Sequence, residues 1–463
     1  MIGELVHHPQ FGSGQIVALY RNGNDWLVRF DSGLRFRRPR HEFSGQNEPV
    51  MKEPAPIFIV PDITPMPQNQ FEARQLIEAL RTGIAPAQHV RDLTIGLKTE
   101  RETLVAGLNK AHQTGGSAFA VVGEYGFGKS HIVELTAQDA LSRNFLVATT
   151  SLDLQELPPH RSFEIYSSLM QTLRYPDTDE RGLAPLLTQH GLKPEVREKL
   201  ATLSPAELDP LVVALEALNN TSSSRQRKRW QEWLMGGRRV ATMNKAMPRG
   251  SKFPSIYKVG HNARQIAYLL SGVSALARLA NYSGLCVLID EAESYSLLRP
   301  YQRPKAGQFF SAVIYAALRE QQNRINADSL PQHRWRAYPP AYGQGQSLFF
   351  LFTVTHSDNR MPLEEWLDAE QILLLEPHHT PQEIGQFLEK ALHYHALAYG
   401  YEPADRQRQV RRGAAEELAL GMRNGRLSIR STVRLAVELY DLLHLHPDYD
   451  VATLLAELRE QMR

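Results

Sequence analysis

The stretch Gly123-Glu124-Tyr125-Gly126-Phe127-Gly128-Lys129-Ser130 constrains this chain more than any other. It fits the pattern G-x-x-x-x-G-K-[ST] without a gap. Its flanks fit as well. Ala118 to Val122 is a short apolar run that reads as a buried strand. After His131, apolar residues at 132, 133, 135, 137, 140 and 141 suit a helix with one buried face. A strand, a glycine loop and a helix start turn backbone N–H groups and the helix dipole toward one anion. On this reading Gly123 to His131 cradle the phosphates of ATP. Lys129 reaches the β- and γ-phosphates and Ser130 ligates Mg²⁺. The alternative is a chance match in a loop.

Hydrolysis needs a second element, and Leu285-Cys286-Val287-Leu288-Ile289-Asp290-Glu291 supplies it. Five apolar residues make a central strand whose end delivers two carboxylates, at the edge where open α/β sheets bind ligands. Asp290 is the second candidate metal ligand, and Glu291 the group that polarises the attacking water. The bland alternative is a core strand ending in a solvated acidic turn with Glu293. Ser347 to Thr355 reads as a further buried strand. In additional-strand ATPases the strand beside the acidic one ends in a polar residue that senses the γ-phosphate. Thr355 is the first choice, with Thr353 and His356 behind it, against a purely structural hydroxyl.

At 463 residues the chain has length for two or three domains. Residues 1–46 carry short alternating strands with glycine turns, which predicts an SH3-like β-barrel. The opening, with Val6, Phe11, Gly12, Gly14 and Ile16, resembles Tudor or CarD-like modules, which bind protein or nucleic acid. Arg35, Arg37, Arg38 and Arg40 lie close together there, as a binding face or a solvated one. Residues 47–70, rich in proline, read as an extended linker. Residues 71–375 read as the ATPase core, with a helical insertion at about 160–250. Residues 376–463 read as a helical lid, opened by the capping box Thr380-Pro381-Gln382-Glu383. The predicted fold class is thus an α/β P-loop NTPase of AAA+ layout, a parallel sheet with helices on both faces. In AAA+ proteins an arginine near the start of a late lid helix touches the γ-phosphate. Arg430 fits, Arg434 is second, and a surface arginine is the alternative.

A net charge of +2 says nothing about partners, but local charge does. Between Thr221 and Gly250 stand eight cations (Arg225, Arg227, Lys228, Arg229, Arg238, Arg239, Lys245, Arg249) against Glu232 alone. Trp230 and Trp233 interleave with them. The run is a candidate surface for DNA without sequence preference, with the tryptophans stacking on unpaired bases. A helix face docking on an acidic neighbour is the alternative. A single cysteine, Cys286, allows no disulfide within the chain, which suits a reducing cytoplasm. No signal peptide is read at the start, and no apolar run is long enough to span a membrane.

The block Ala73 to Gly83 with Pro86, then Leu93-Thr94-Ile95-Gly96, Glu100, Gly115-Gly116, the P-loop and Leu288-Ile289-Asp290-Glu291-Ala292-Glu293 resembles a bacterial family. It is the ATP-binding BrxD-like family of BREX-type phage-defence loci, and Trp233-Leu234-Met235-Gly236 also looks like one of its features. The likeness covers roughly residues 70–440, and the N-terminal segment lies outside the family pattern. The resemblance implies a AAA+ ATPase working beside a helicase or nuclease on foreign DNA. AAA+ sites usually take an arginine from a neighbouring subunit of a homo-oligomer, and Arg319 and Arg360 are both candidates. Two other readings stay open. One is a nucleotide-gated adaptor with slow turnover; the other is a STAND-like sensor that assembles on a phage protein.

Overall fold

The computed structural model describes residues 2–9, 11–31, 35–45, 67–236, 263–318, 324–331, 338–357, 360–376, 379–446 and 448–461. They form two units, 1–66 and 67–463. The first contains β1 (Leu5–His8), β2 (Gly12–Tyr20), β3 (Asp25–Phe30), β4 (Arg35–Pro39) and β5 (Ser44–Gly45). All pair antiparallel, in the order β4-β3-β2-β1-β5. The expected small barrel is seen here as a five-stranded sheet; no pairing joins its edge strands β4 and β5 among the described residues. Val6, Ile16, Trp26, Val28 and Phe30 make its core. Three of the clustered arginines lie over aromatic rings: Arg37 over Tyr20, Arg38 over Phe11 and Arg40 over Trp26.

The second unit is built on five parallel strands: β6 (Gly116–Val122), β7 (Phe145–Ser151), β8 (Gly284–Asp290), β9 (Leu348–Val354) and β10 (Ile372–Leu374). Their order is β10-β6-β9-β8-β7. Strands buried on both faces need nearly continuous apolar runs, and these strands have them. Ala118, Ala120, Leu285, Val287, Phe350 and Phe352 face one core cluster. Phe119, Val121, Cys286, Leu288, Phe349 and Leu351 face the other. The second cluster is covered by α2 (Lys98–Thr114) and α3 (Lys129–Leu141). The first is covered by α4 (Ser162–Gln171), α8 (Ala263–Leu279) and α9 (Arg303–Leu318), with α5 (Pro194–Leu203), α6 (Pro210–Asn219) and α7 (Ser224–Leu234) packed outside them. This gives a P-loop NTPase fold with helices on both faces of the sheet. A short helix α10 (Leu363–Trp366) precedes β10.

The basic run falls partly on α7, where Arg225, Arg227 and Lys228 are exposed; Arg238, Arg239, Lys245 and Arg249 lie outside the described residues. Trp230 and Trp233 are only 5% and 1% exposed, packed into the main core. The expectation that they stack on bases is therefore corrected. They form the apolar stripe that docks an amphipathic helix, with the cations on its other face.

A third apolar cluster holds the C-terminal helices α11 (Pro381–Tyr399), α12 (Asp405–Arg423), α13 (Ile429–Leu445) and α14 (Val451–Gln461). Thr380 caps α11, its side chain accepting from the Glu383 N–H as the capping box requires. The same cluster includes Ala73, Leu76, Ile77 and Leu80 of α1 (Gln68–Arg81). Helix α1 stands in the segment read from sequence as core, yet it packs on α11 and α13. Polar contacts fix it there. Arg81 donates to both carboxylate oxygens of Asp441 on α13, at 3.0 and 2.6 Å, and to the Tyr399 hydroxyl. His395, fully buried, sits with Nε2 3.1 Å from the same carboxylate.

Burial alone would push the Asp441 carboxyl up, but His395 and Arg81 together hold it below its ordinary value of 3.8. Its contribution is therefore present above that value and is lost as pH falls through the lower folded value. Asp441→Asn should cost about 2 kcal/mol of stability at neutral pH, because a charged acceptor is replaced by a neutral one. It should also flatten the acid limb of the stability curve. Denaturant unfolding across pH checks both, and a change below about 0.5 kcal/mol would show that the clamp does not hold α1.

Candidate functional site

The site lies at the carboxyl edge of the sheet. Gly123 to Gly128 link β6 to α3, and the loop bends through Gly126 (φ +84°) and Gly128 (φ +92°). A Cβ on Gly126 would meet the Ser428 Cβ at 2.7 Å, so glycine is required for space as well as for φ. Phe127 packs into the core beneath, while Tyr125 is exposed. Lys129 is 8% exposed. Its ammonium donates to the Gly123 carbonyl at 3.0 Å, the Glu124 carbonyl at 3.3 Å and the Thr355 hydroxyl at 3.0 Å. A phosphate entering the loop exchanges these neutral acceptors for charged oxygens.

Strand β9 runs between β6 and β8. It brings both candidate threonines to the site, with different tasks. Thr355 joins Lys129 to Glu293, donating to Oε1 at 2.8 Å. Thr353, fully buried, donates to Asp290 Oδ1 at 2.5 Å and accepts from the Glu291 N–H. His356 is exposed and is not part of the cavity wall. Asp290 Oδ1 also accepts from the Glu291 N–H at 3.0 Å, while Oδ2 takes no donor among the described residues. Glu291 has left-handed backbone geometry (φ 57°), a strained conformation for a residue with a side chain. Its Oε2 accepts from the Ser151 hydroxyl at 2.9 Å. Ser151 ends β7 opposite Asp290 in the ladder. Sequence reading did not single it out, and its place at the end of a second apolar strand is the signal that could have found it.

One cavity of about 310 Å³ lies against Lys129 and the acidic residues, while Ser151, Thr353 and Thr355 are not part of its wall and act on the residues that are. Gly126, Gly128, Lys129, Ser130, His131, Asp290, Glu291 and Glu293 line its polar end, with Tyr125. Leu80, Ile84, Val90, Leu93, Phe387, Ile429 and Val433 line its apolar end, between the connector after α1 and helices α11 and α13. This apolar end is the part that sequence reading missed, because its residues come from three distant segments. His131 follows Ser130 and places Nε2 2.9 Å from the Thr94 hydroxyl. Burial pushes its imidazole down to about 4, against the opposing charge of Glu134, so it is neutral at physiological pH.

The start of α13 meets the loop directly. The Ile429 N–H donates to the Gly126 carbonyl at 3.2 Å. Arg430, in the first turn of α13, lines the cavity and donates to the Tyr125 hydroxyl at 3.0 Å. Arg434 is exposed and is not part of the wall, nor is Arg360; Arg319 lies outside the described residues. For a metal, the donors present are hard oxygens: the Ser130 hydroxyl and the open Asp290 carboxylate oxygen. They fit Mg²⁺, which takes one or two protein oxygens together with substrate phosphates. No group of three or more His, Cys, Asp or Glu forms a metal cage among the described residues.

Fold and site together define a P-loop nucleotide-binding protein. Residues 69–199 match the family model for the BREX system ATP-binding protein BrxC/D. The matched stretch takes in α1, the connector, the P-loop and α4, and ends before β8. No curated protein matches the chain. Among solved structures, the Walker-type ATPase PABY2304 of Pyrococcus abyssi is 12% identical over 80% of this chain and 76% of that one, with a TM-score of 0.30. At that score the two chains differ too much in arrangement for the likeness to bear on this one. No helix among the described residues is long and apolar enough to cross a membrane.

The block ahead of the P-loop acquires a physical meaning here. Gly83 has φ +77°, and a Cβ there would lie 2.3 Å from the Arg430 Cγ and 2.8 Å from the Arg430 carbonyl oxygen. Gly83→Ala should therefore displace Arg430 from the cavity wall. We expect nucleotide affinity to fall roughly fivefold, about 1 kcal/mol. Titration with a fluorescent ATP analogue checks it. Unchanged affinity would mean that Arg430 does not act on the nucleotide.

Proposed function

We propose that this protein binds ATP with Mg²⁺ and hydrolyses it, as an ATP-driven component of an anti-phage defence system. One observation carries the reading: the P-loop lysine, the Asp290–Glu291 pair and the lid arginine Arg430 line a single cavity with an apolar end suited to a base. The match of residues 69–199 to a BREX ATP-binding family supports the defence context. In this reading the base enters the apolar end and the phosphates follow the loop. Ser130 and Asp290 would hold Mg²⁺, which neutralises charge on the phosphates. Lys129 steadies the β- and γ-phosphates. Glu291 accepts a proton from the attacking water, and Ser151 and Thr353 position the two acidic residues. Thr355 ties Lys129 to Glu293 and through them reports on the γ-phosphate, and Arg430 lines the cavity wall.

The wider role is proposed on the same footing. The protein acts on DNA without sequence preference, beside a helicase or nuclease, as an ATP-dependent homo-oligomer that takes an arginine from its neighbour. Support for DNA contact comes from the exposed cations of α7, Arg225, Arg227 and Lys228. A nucleotide-gated adaptor with slow turnover is the second reading, favoured by one observation: the Glu291 carboxylate is already engaged by Ser151. Steady-state ATPase rates with and without DNA separate the two.

Lys129→Ala should weaken ATP binding at least tenfold, because a charge-assisted hydrogen bond to the phosphates disappears. Glu291→Gln should keep ATP affinity and cut turnover about a hundredfold or more, since an amide accepts no proton. Paired binding and turnover assays check both. A Glu291→Gln enzyme at full rate would move the base to Glu293.

Charge reversal at Arg225, Arg227 and Lys228 should weaken DNA binding and flatten its salt dependence. On a single strand the slope should fall by about 0.7 for each phosphate that is no longer neutralised. Anisotropy at several salt concentrations measures it. A triple variant with wild-type affinity and slope would assign α7 to a protein partner.

A further inference from the structure

The connector from Val90 to Lys98 has two walls. Val90, Leu93, Ile95 and Leu97 face the nucleotide cavity. Arg91, Thr94, Gly96 and Lys98 face a second, open cleft of about 580 Å³ bounded by α2 and the end of α3. Arg101 and Arg143 complete a set of four cations there.

Three of these arginines share one buried carboxylate. Arg101 grips Asp139 with two bonds, at 2.7 and 2.8 Å. Arg91 reaches its Oδ1 at 3.0 Å, and Arg143 lies 4.0 Å from the same oxygen. Burial would push the Asp139 carboxyl up, but Arg101, Arg91 and Arg143 hold it below its ordinary value, so it stays charged. The other acid of the cleft is Glu102, exposed and 4.0 Å from Lys98. Four cations thus meet two carboxylates, an excess of two positive charges.

The donors are not used up. A guanidinium offers five N–H groups in a planar fork. Arg91 bonds only through Nη2, Arg101 through Nε and Nη2, and Arg143 through Nη1. The remaining faces of Arg91, Arg101 and Arg143 take no partner among the described residues. Asp139 and the last carbonyls of α3 fix the three planes, so the free donors are preorganised. That arrangement suits a tetrahedral phosphate group, whose acceptor oxygens point in different planes, better than a planar carboxylate.

We propose that this cleft is a second phosphate-binding site, back to back with the nucleotide cavity and separated from it by a single layer of chain. Its ligand is a phosphodiester or pyrophosphate group. The site does not depend on the nucleotide reading, because substitutions within the cleft assign the signal.

The test is calorimetric titration of the full chain with pyrophosphate while saturating ADP is present. The double variant Arg91→Gln/Lys98→Glu leaves the Arg101–Asp139 grip intact. It should bind pyrophosphate about tenfold more weakly than wild type, at unchanged ADP affinity. If it does not fold, Arg143→Gln, which keeps a donor for α3, serves with a smaller expected loss. A parallel titration uses a short fluorescein-labelled single-stranded DNA. Loss of both ligands supports the site with the DNA backbone as its source of phosphate. Loss of pyrophosphate alone supports the site for a free phosphate compound. Wild-type protein that binds no pyrophosphate, or a variant that binds it equally well, overturns the proposal.

Discussion

A parallel sheet must be covered on both faces, and all its strands end at the same edge. That constraint organises the second unit. Burial in two apolar clusters leaves the carboxyl edge as the place where the polar groups of the site gather. At that edge Ser151, Asp290 and Thr353 stand across neighbouring strands, with Gly123 following β6. None of these groups could be assembled by local sequence. The hydrogen-bonded register places them, and the cross-strand contact from Thr353 to Asp290 then fixes the carboxylate. The glycine loop fits the same edge because its bends at Gly126 and Gly128 let the start of α13 approach the backbone.

What was legible in the sequence was what is local. The P-loop and the acidic strand end announce themselves through spacing and flanks, and so does the capping box at Thr380. What was not legible depends on distant chain. Thr353 and Thr355 are two residues apart and point to the same edge, so periodicity cannot say which meets Lys129 and which meets Asp290. Ser151 is an ordinary hydroxyl until β7 is paired with β8. Helix α1 precedes the core in sequence, and only packing shows that its apolar face belongs with α11 and α13.

The basic segment carries a different lesson. Counting charge treats every side chain as available. On α7 the tryptophans interleaved with cations are the buried stripe, and only the opposite face is exposed. Elsewhere many arginines serve the fold. Arg174 forks onto Glu134, Arg81 onto Asp441 and Arg101 onto Asp139. A near-neutral total therefore conceals a few places where positive charge stays unspent, and these are set by which carboxylates the fold supplies.

The chain enters the lid cluster with α1, leaves it through the connector to build the core, and returns after β10 to make α11. Lid and core are thus joined by two covalent passages. The passages are neighbours: Gly96 on the first lies so close to His379 on the second that a Cβ would fall 2.6 Å from its ring nitrogen. Two tethers in contact bring both crossings between the C-terminal helices and the core to one place. The cavity takes its wall from the first passage and from the start of α13, so the groups that would meet a nucleotide stand where the C-terminal helices join the core.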